Sequence, residues 1–339
     1  MITAAILGGG FMGATHAKGF AALGGRVRVK TVASRTTERA QRVAESVGAS
    51  FTTDLDSVLA DPEVDLIDIC LPTPLHRAIA ERSLSESKHV FLEKPIALTL
   101  EDADAIVQAA EASDRQLMVG LVLRFFPEYV EIERRVRSGE LGRPLAASAY
   151  RLSPPADWAD WYADPSQSGG PPVDLMVHDF DQMNVLLGPP RSVYARGIYL
   201  GEPSYPNQVL ALVEHEGGKA GVEGSMAMPT SYPFSAGIRV LCESGVIEHG
   251  FRALPAEDGG NIGADVQSFL RVHPSDGPTQ ELQVEAVDPW AAEIAEFVAC
   301  LEEGRQVDRG TARQAREALA VSLATSRSLA TGQPEAVEP

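Results

Sequence analysis

Cysteine is scarce in this chain: 339 residues contain Cys70, Cys242 and Cys300 alone. They stand far apart and form no paired-spacing motif, which argues against a disulfide framework and a cysteine-built zinc site and suits buried thiols in a reducing compartment. Basic residues are few. Lysine and arginine number 29 against 47 acidic residues, a formal charge of −18, and such a surface repels phosphate backbones and anionic lipid. The densest basic group, Arg134, Arg135 and Arg137, is interleaved with Glu131, Glu133 and Glu140. Neither a nucleic acid nor a membrane is therefore an expected partner. No run of about 18 apolar residues occurs. The N-terminus has no basic segment leading into an apolar one, so a cytoplasmic location is expected.

What is present is ordinary for a folded enzyme: 44% apolar and 22% charged residues, in a length that suggests two domains at about 100 to 200 residues each. Over the first part of the chain, short apolar runs alternate with amphipathic stretches, the pattern of β-α-β units around a parallel sheet. Strands are predicted at Ala4–Leu7, Thr31–Ala33, Leu66–Cys70, His89–Leu92 and Leu117–Val119. Helices are predicted at Ala14–Leu23, Glu38–Val47, Arg77–Ser85 and Leu100–Ala112, the last opened by a capping pair, Thr99 and Asp102. Pro127–Ser138 also reads as helical, and Gly139-Glu140-Leu141-Gly142-Arg143-Pro144 is a turn-rich break read as the junction to a second domain. Longer alternating segments follow at Ala147–Leu152, Ser192–Leu200, Val209–His215, Gly221–Met228 and Ile238–Glu243, with Gly217-Gly218 and Ser244-Gly245 placed where hairpins turn. Helices at Pro289–Glu303 and Thr311–Ala330 close the chain, and Pro334–Pro339 is expected to fray. The predicted class is α/β: an N-terminal Rossmann domain over 1–122 with a parallel sheet, then an α/β substrate-binding and oligomerisation domain over 123–339 with a large open, mostly antiparallel sheet. The final helix is expected to pack back on the first domain.

Gly8-Gly9-Gly10-Phe11-Met12-Gly13 satisfies G-x-G-x-x-G between a strand and a helix. In that setting Gly8 permits the tight turn, Gly10 lets backbone amides approach a pyrophosphate, and Gly13 allows close packing of helix on strand. The turn, with Phe11 and Met12, is thus a candidate dinucleotide site. The second strand runs into Val32-Ala33-Ser34-Arg35-Thr36-Thr37 with no acid at its tip. A hydroxyl at Ser34 and a cation at Arg35, joined by Arg39 one helical turn on, suit a ribose 2′-phosphate, so NADP(H) is favoured over NAD(H).

Glu93-Lys94-Pro95 follows an apolar strand, at the carboxyl end where open α/β sheets place ligands. A lysine there serves proton transfer if desolvation or a nearby cation brings its pKa from about 10.4 towards about 7 to 8. The second informative segment is Asp174-Leu175-Met176-Val177-His178-Asp179-Phe180-Asp181. Spacing of four sets Asp174 and His178 on one face of a predicted helix, where the aspartate orients the imidazole. A metal ion is the competing reading. Hydride transfer to nicotinamide needs none and no second histidine accompanies the pair, so no metal is expected.

Taken in order, the glycine turn with His16 after it, Pro72-Thr73-Pro74-Leu75-His76, Glu93-Lys94-Pro95, the Gly139–Pro144 break, and Asp174 with His178 make the chain resemble the Gfo/Idh/MocA family, the glucose-fructose oxidoreductase and inositol dehydrogenase group. The resemblance implies that Lys94 is the catalytic lysine, that Asp174 and His178 face it across a cleft, and that Leu71, Pro72, His76 and Glu93 line the cofactor pocket. It also implies a cis Lys94–Pro95 bond, a sugar, cyclic polyol or related substrate, and a homodimer or homotetramer formed through the open sheet. Departures are visible. Leu71 stands where threonine is common, Pro171 replaces a glycine, and Val122-Leu123-Arg124-Phe125 keeps only the second arginine of an Asn-Arg-Arg-Phe pattern. Arg124 is a candidate substrate contact, as is Trp161, which with Trp158 and Tyr162 offers apolar faces to a sugar ring. Two other readings stay open: a glycosidase-like enzyme that oxidises and re-reduces its substrate on a retained cofactor, and a dinucleotide-binding regulator without turnover.

Overall fold

The structure is a computed structural model that describes residues 1–155, 161, 164–199, 206–253 and 266–339. Its first elements are β1 (Ile2–Leu7), α1 (Phe11–Ala22), β2 (Val27–Ala33), α2 (Thr37–Val47), β3 (Ser50–Thr52), α3 (Leu55–Leu59), β4 (Leu66–Ile69), α4 (His76–Ser85), β5 (His89–Leu92), α5 (Leu100–Ala112) and β6 (Leu117–Val119). There follow α6 (Pro127–Ser138), β7 (Pro144–Leu152), α7 (Pro165–Ser168), α8 (Gly170–Asp174), α9 (Val177–Leu187), β8 (Pro190–Ile198), β9 (Gln208–His215) and β10 (Lys219–Ser225). The chain ends with β11 (Phe234–Cys242), β12 (Gly245–Ala253), β13 (Val266–Pro274), β14 (Gln280–Glu281), α10 (Pro289–Glu303), α11 (Ala312–Thr331) and β15 (Glu335–Ala336). Two compact units result, one of Met1–Phe126 with Val287–Arg316 and one of Pro127–Ala286 with Glu317–Pro339.

The first unit is built on a six-stranded parallel sheet in the order β3-β2-β1-β4-β5-β6. This is the order of a Rossmann sheet, with its switch of direction between β1 and β4. Strands β1 and β4 are covered on both faces, which is why they read as apolar runs and not as alternating ones, with Asp68 the one charged residue in β4. Helix α10 belongs to this unit although the chain reaches it only after the second sheet. Asp288 caps it, accepting from the amides of Trp290 at 3.0 Å and Ala291 at 3.1 Å, and Pro289 opens its first turn. Its apolar stripe, Ile294, Phe297 and Val298, is buried with Ala17 and Phe20 of α1 and Phe91 of β5. The two helices meet closely at Gly19, where a methyl group would come within 2.7 Å of the Ile294 side chain.

The second unit is built on a nine-stranded sheet, β14-β13-β12-β11-β7-β10-β9-β8-β15, in which β7 and β10 run parallel and every other pair antiparallel. Alternation follows the pleat. Along β9, Val209, Ala211 and Val213 are buried, while Leu210 and Leu212 point to the opposite face and are 51% and 65% exposed. Helix α9 packs on the buried face and is tied there by a bidentate ion pair from Arg151 of β7 to Asp179, both oxygens at 2.9 Å.

A hairpin turns at Gly217-Gly218 as predicted and another at Glu243-Ser244, one residue before the predicted place, and the Thr99 hydroxyl caps α5 by accepting from the Asp102 amide. One expectation is corrected, and several elements are missed. The tail does not fray, because Glu335 and Ala336 pair with Val193 and Ser192 at the sheet edge. Strands β12 and β13 are not predicted, since Glu248, His249 and Arg252 break the apolar signal of β12, with His249 turned into the interior. Elements β3 and α3 are too short for a periodicity to register. No helix among the described residues is long and apolar enough to cross a membrane.

Candidate active site

The glycine turn joins β1 to α1 at the switch of the parallel sheet. Gly8 takes φ +126°, and a Cβ there would lie 2.2 Å from the Cys70 carbonyl oxygen; a Cβ on Gly13 would lie 1.9 Å from that of Gly8. Only glycine fits either place. Gly10 is different: nothing lies within 4 Å of where its Cβ would be, and it caps α1 without a side-chain hydrogen bond. Open space at the N-terminus of a twelve-residue helix, reached by bare backbone, fits a pyrophosphate. Phe11 is largely exposed at the mouth of the turn, beside the half-buried Met12. At the end of β2, Ser34 is buried and its amide donates to the Thr52 carbonyl. Arg35 and Arg39 are exposed and hold no ion pair among the described residues.

Strand β5 delivers Glu93, Lys94 and Pro95 two strands from β1. Glu93 is buried and Lys94 half-buried, and the Lys94–Pro95 bond is cis. The Lys94 backbone is fixed on both sides. Its amide donates to Glu93 Oε2 at 2.9 Å, and the next carbonyl, that of Pro95, lies 2.9 Å from His76 Nδ1. The other ring nitrogen of His76 lies 2.9 Å from the Leu71 carbonyl. The ring thus bridges the Leu71-Pro72 segment, which is half-buried, to the lysine loop. Burial lowers the pKa of His76, against two carbonyls that favour the charged ring. A neutral ring satisfies only one of them as a donor.

Behind the loop stands a buried cluster that the sequence reading did not assemble. His16 of α1 is fully buried, with Nδ1 2.9 Å from Asp68 Oδ1 and 3.3 Å from Cys70 Sγ, and Nε2 3.1 Å from Glu93 Oε1. Burial alone would strip the ring of its proton, but the Asp68 carboxylate outweighs it and holds the His16 pKa well above the usual value. The Cys70 thiol is pushed well up by burial and by Asp68, so it stays protonated. Glu293 of α10 completes the group, its donor atoms and those of His16 and Glu93 lying within 4.8 Å of one another. Two signals in the sequence point to the cluster. Asp68 interrupts an otherwise apolar strand, and Glu293 falls on the apolar stripe of its helix, three residues after Trp290 and four before Phe297.

The remaining site candidates differ in setting. Arg124 is buried in the short turn Val122–Phe125, where its carbonyl accepts from Arg309. Asp174 is buried and His178 half-buried, but one helix does not carry both. Helix α8 ends at Asp174 and α9 starts at Val177, correcting the expected shared helical face. The amide of Met176 bonds back to the Pro171 carbonyl at 2.9 Å, five residues away, which widens the turn and ends the helix. The Met176 side chain is fully buried in the process, against the bare backbone of Gly224 in β10. Trp161 is half-buried, while Trp158 and Tyr162 lie outside the described residues.

Comparison with known proteins agrees with this architecture. Residues 2–121 match the profile of the oxidoreductase family with an NAD-binding Rossmann fold, and residues 129–248 that of the GFO/IDH/MocA C-terminal domain. The scyllo-inositol 2-dehydrogenase (NAD(+)) of Bacillus subtilis (strain 168) is 30% identical over 246 residues, covering 69% of this chain and 70% of its own. The inositol 2-dehydrogenase of Rhizobium meliloti (strain 1021) is 27% identical over 338 residues, 96% of each chain. Among solved structures, a levoglucosan dehydrogenase in complex with NADH and levoglucosan shares the fold at a TM-score of 0.87, with 20% identity and complete coverage of both chains. The chain belongs to the Gfo/Idh/MocA family of NAD-binding oxidoreductases.

Proposed function

We propose that the chain is an NAD(P)-dependent dehydrogenase or reductase of a cyclic polyol, monosaccharide or close derivative, with Lys94 as its proton-transfer residue. The observation that carries this reading is Lys94 itself, at the carboxyl end of a central parallel strand and fastened by its own amide to a buried carboxylate. Gly8, Gly10 and Gly13, with Phe11 and Met12, would hold the pyrophosphate, and the Leu71-Pro72 segment and Glu93 the nicotinamide end. The bound nicotinamide supplies a two-electron hydride acceptor, or a donor in the reverse direction. Lys94 takes the hydroxyl proton as a carbinol becomes a carbonyl, and returns it when the reaction reverses. Asp174 and His178 hold substrate hydroxyls, and Arg124 and Trp161 are further candidate contacts. The inositol dehydrogenases among the relatives support this substrate class.

Ser34, Arg35 and Arg39 support a preference for NADP(H), since a hydroxyl and two guanidinium groups without an ion pair among the described residues suit a 2′-phosphate at the tip of β2, where no acid stands to hold a free ribose. The exposed face of the second sheet, with Tyr150, Leu210, Leu212 and Leu241, supports assembly of two or more copies. A panel of inositols, aldoses and ketoses, assayed by cofactor absorbance with NAD and with NADP, tests the reading. Turnover of at least one polyol or sugar is expected, and activity on none contradicts it.

A further inference from the structure

Helix α10 carries Glu293 into the interior of the first unit, where its carboxyl is fully buried and neither oxygen has a hydrogen-bond partner among the described residues. The groups that face it are His16 of α1, Asp68 of β4, Glu93 at the end of β5 and, at the start of its own helix, Asp288. Three of these four are acidic. His16 is the one cation among them, and its Nδ1 side is already taken by Asp68. On the other side, Nε2 lies 3.1 Å from Glu93, yet the N–H is not aligned on that oxygen. A second carboxylate at this point would draw the same proton away from Glu93. An ionised carboxyl buried without a partner takes up a proton instead.

We propose that Glu293 stands in the folded protein as a neutral carboxylic acid, a positioning residue that leaves His16 to Glu93 and Glu93 to the backbone amide of Lys94. The proposal rests on the Lys94 reading, because its consequence for catalysis passes through that amide. Burial, then Glu93 and Asp68, against the pull of His16, hold the Glu293 carboxyl well above the usual range. A divalent cation would balance the same charges, but His16 and Glu293 have no exposed surface, and a metal site needs an entry path.

Infrared spectroscopy of the full-length protein labelled with carbon-13 glutamate reads the acid directly at neutral pH. A carboxylic-acid carbonyl band is expected in the wild type and its loss in Glu293→Gln. The neutral isostere keeps kcat and the cofactor KM within about threefold, and its kcat persists to higher pH than that of the wild type. Replacing His16 with Gln lowers kcat about tenfold or more with a smaller change in cofactor KM. No acid band, a band that survives Glu293→Gln, near-stoichiometric divalent metal in elemental analysis, or a fall in kcat of more than about thirtyfold in Glu293→Gln overturns the proposal. Full turnover in Lys94→Ala would sink the Lys94 reading, and the positioning role with it, while leaving the band in place. A missing band beside an inactive Lys94→Ala sinks the Glu293 assignment alone.

Discussion

Replacing Glu293 with Gln tilts the dependence of stability on pH. In the unfolded chain the carboxyl titrates near its ordinary value of 4.5, whereas in the fold it stays protonated well above that. A raised carboxyl pKa makes the native state the one that binds more protons, so this group's contribution is full below pH 4.5 and declines as pH rises towards the folded value. The decline is about 1.4 kcal/mol per pH unit. Glutamine has no such dependence. Its amide is as unpartnered as the neutral acid it replaces, so whatever it costs is the same at every pH. As pH rises above 4.5 the wild type loses this contribution and the variant does not, so the variant gains on the wild type steadily from acid towards neutral pH. Urea unfolding midpoints for both proteins, taken across that range at equal slope, measure the difference. Parallel curves would refute the reasoning, because they mean that Glu293 ionises in the folded protein as it does in the unfolded one.

Other perturbations reach other parts of the account. Arg35→Asp is expected to raise the KM for NADP about tenfold or more and to leave that for NAD less affected, and equal effects on both remove the 2′-phosphate assignment. Truncating Arg151 to Leu strands Asp179 in the interior, and the expected loss of stability is about 3–5 kcal/mol, with Asp179→Asn recovering part of it in the double variant. No recovery would mean that the two side chains do not act as a pair. Leu212→Glu on the open face of the second sheet is expected to lower the oligomeric state seen by sedimentation, and an unchanged mass rejects that face as an interface.

What the sequence made legible was local. The turn from Gly8 to Gly13, the hairpins at Gly217-Gly218 and around Ser244, the cap at Thr99 and the lysine at the end of β5 each depend on residues within a few positions of one another. Tertiary packing set the rest. His16, Asp68 and Glu293 come from one helix, one strand and a second helix far along the chain, and their meeting depends on Gly19 letting α10 approach α1. The break between Asp174 and His178 is set by Met176 packing on Gly224, a contact that no spacing of four residues announces. Likewise, Glu335 and Ala336 are ordered only because β8 offers an edge to pair with.

The central claim, that Lys94 moves the proton in a nicotinamide-dependent oxidation, is tested most directly by Lys94→Ala and Lys94→Arg assayed on the best substrate of the polyol and sugar panel. Cofactor binding is followed in parallel by fluorescence titration. Loss of the proton-transfer group is expected to lower kcat by about 10²–10⁴-fold while the dissociation constant for the cofactor changes by less than about threefold. Near-normal turnover in Lys94→Ala would contradict the account.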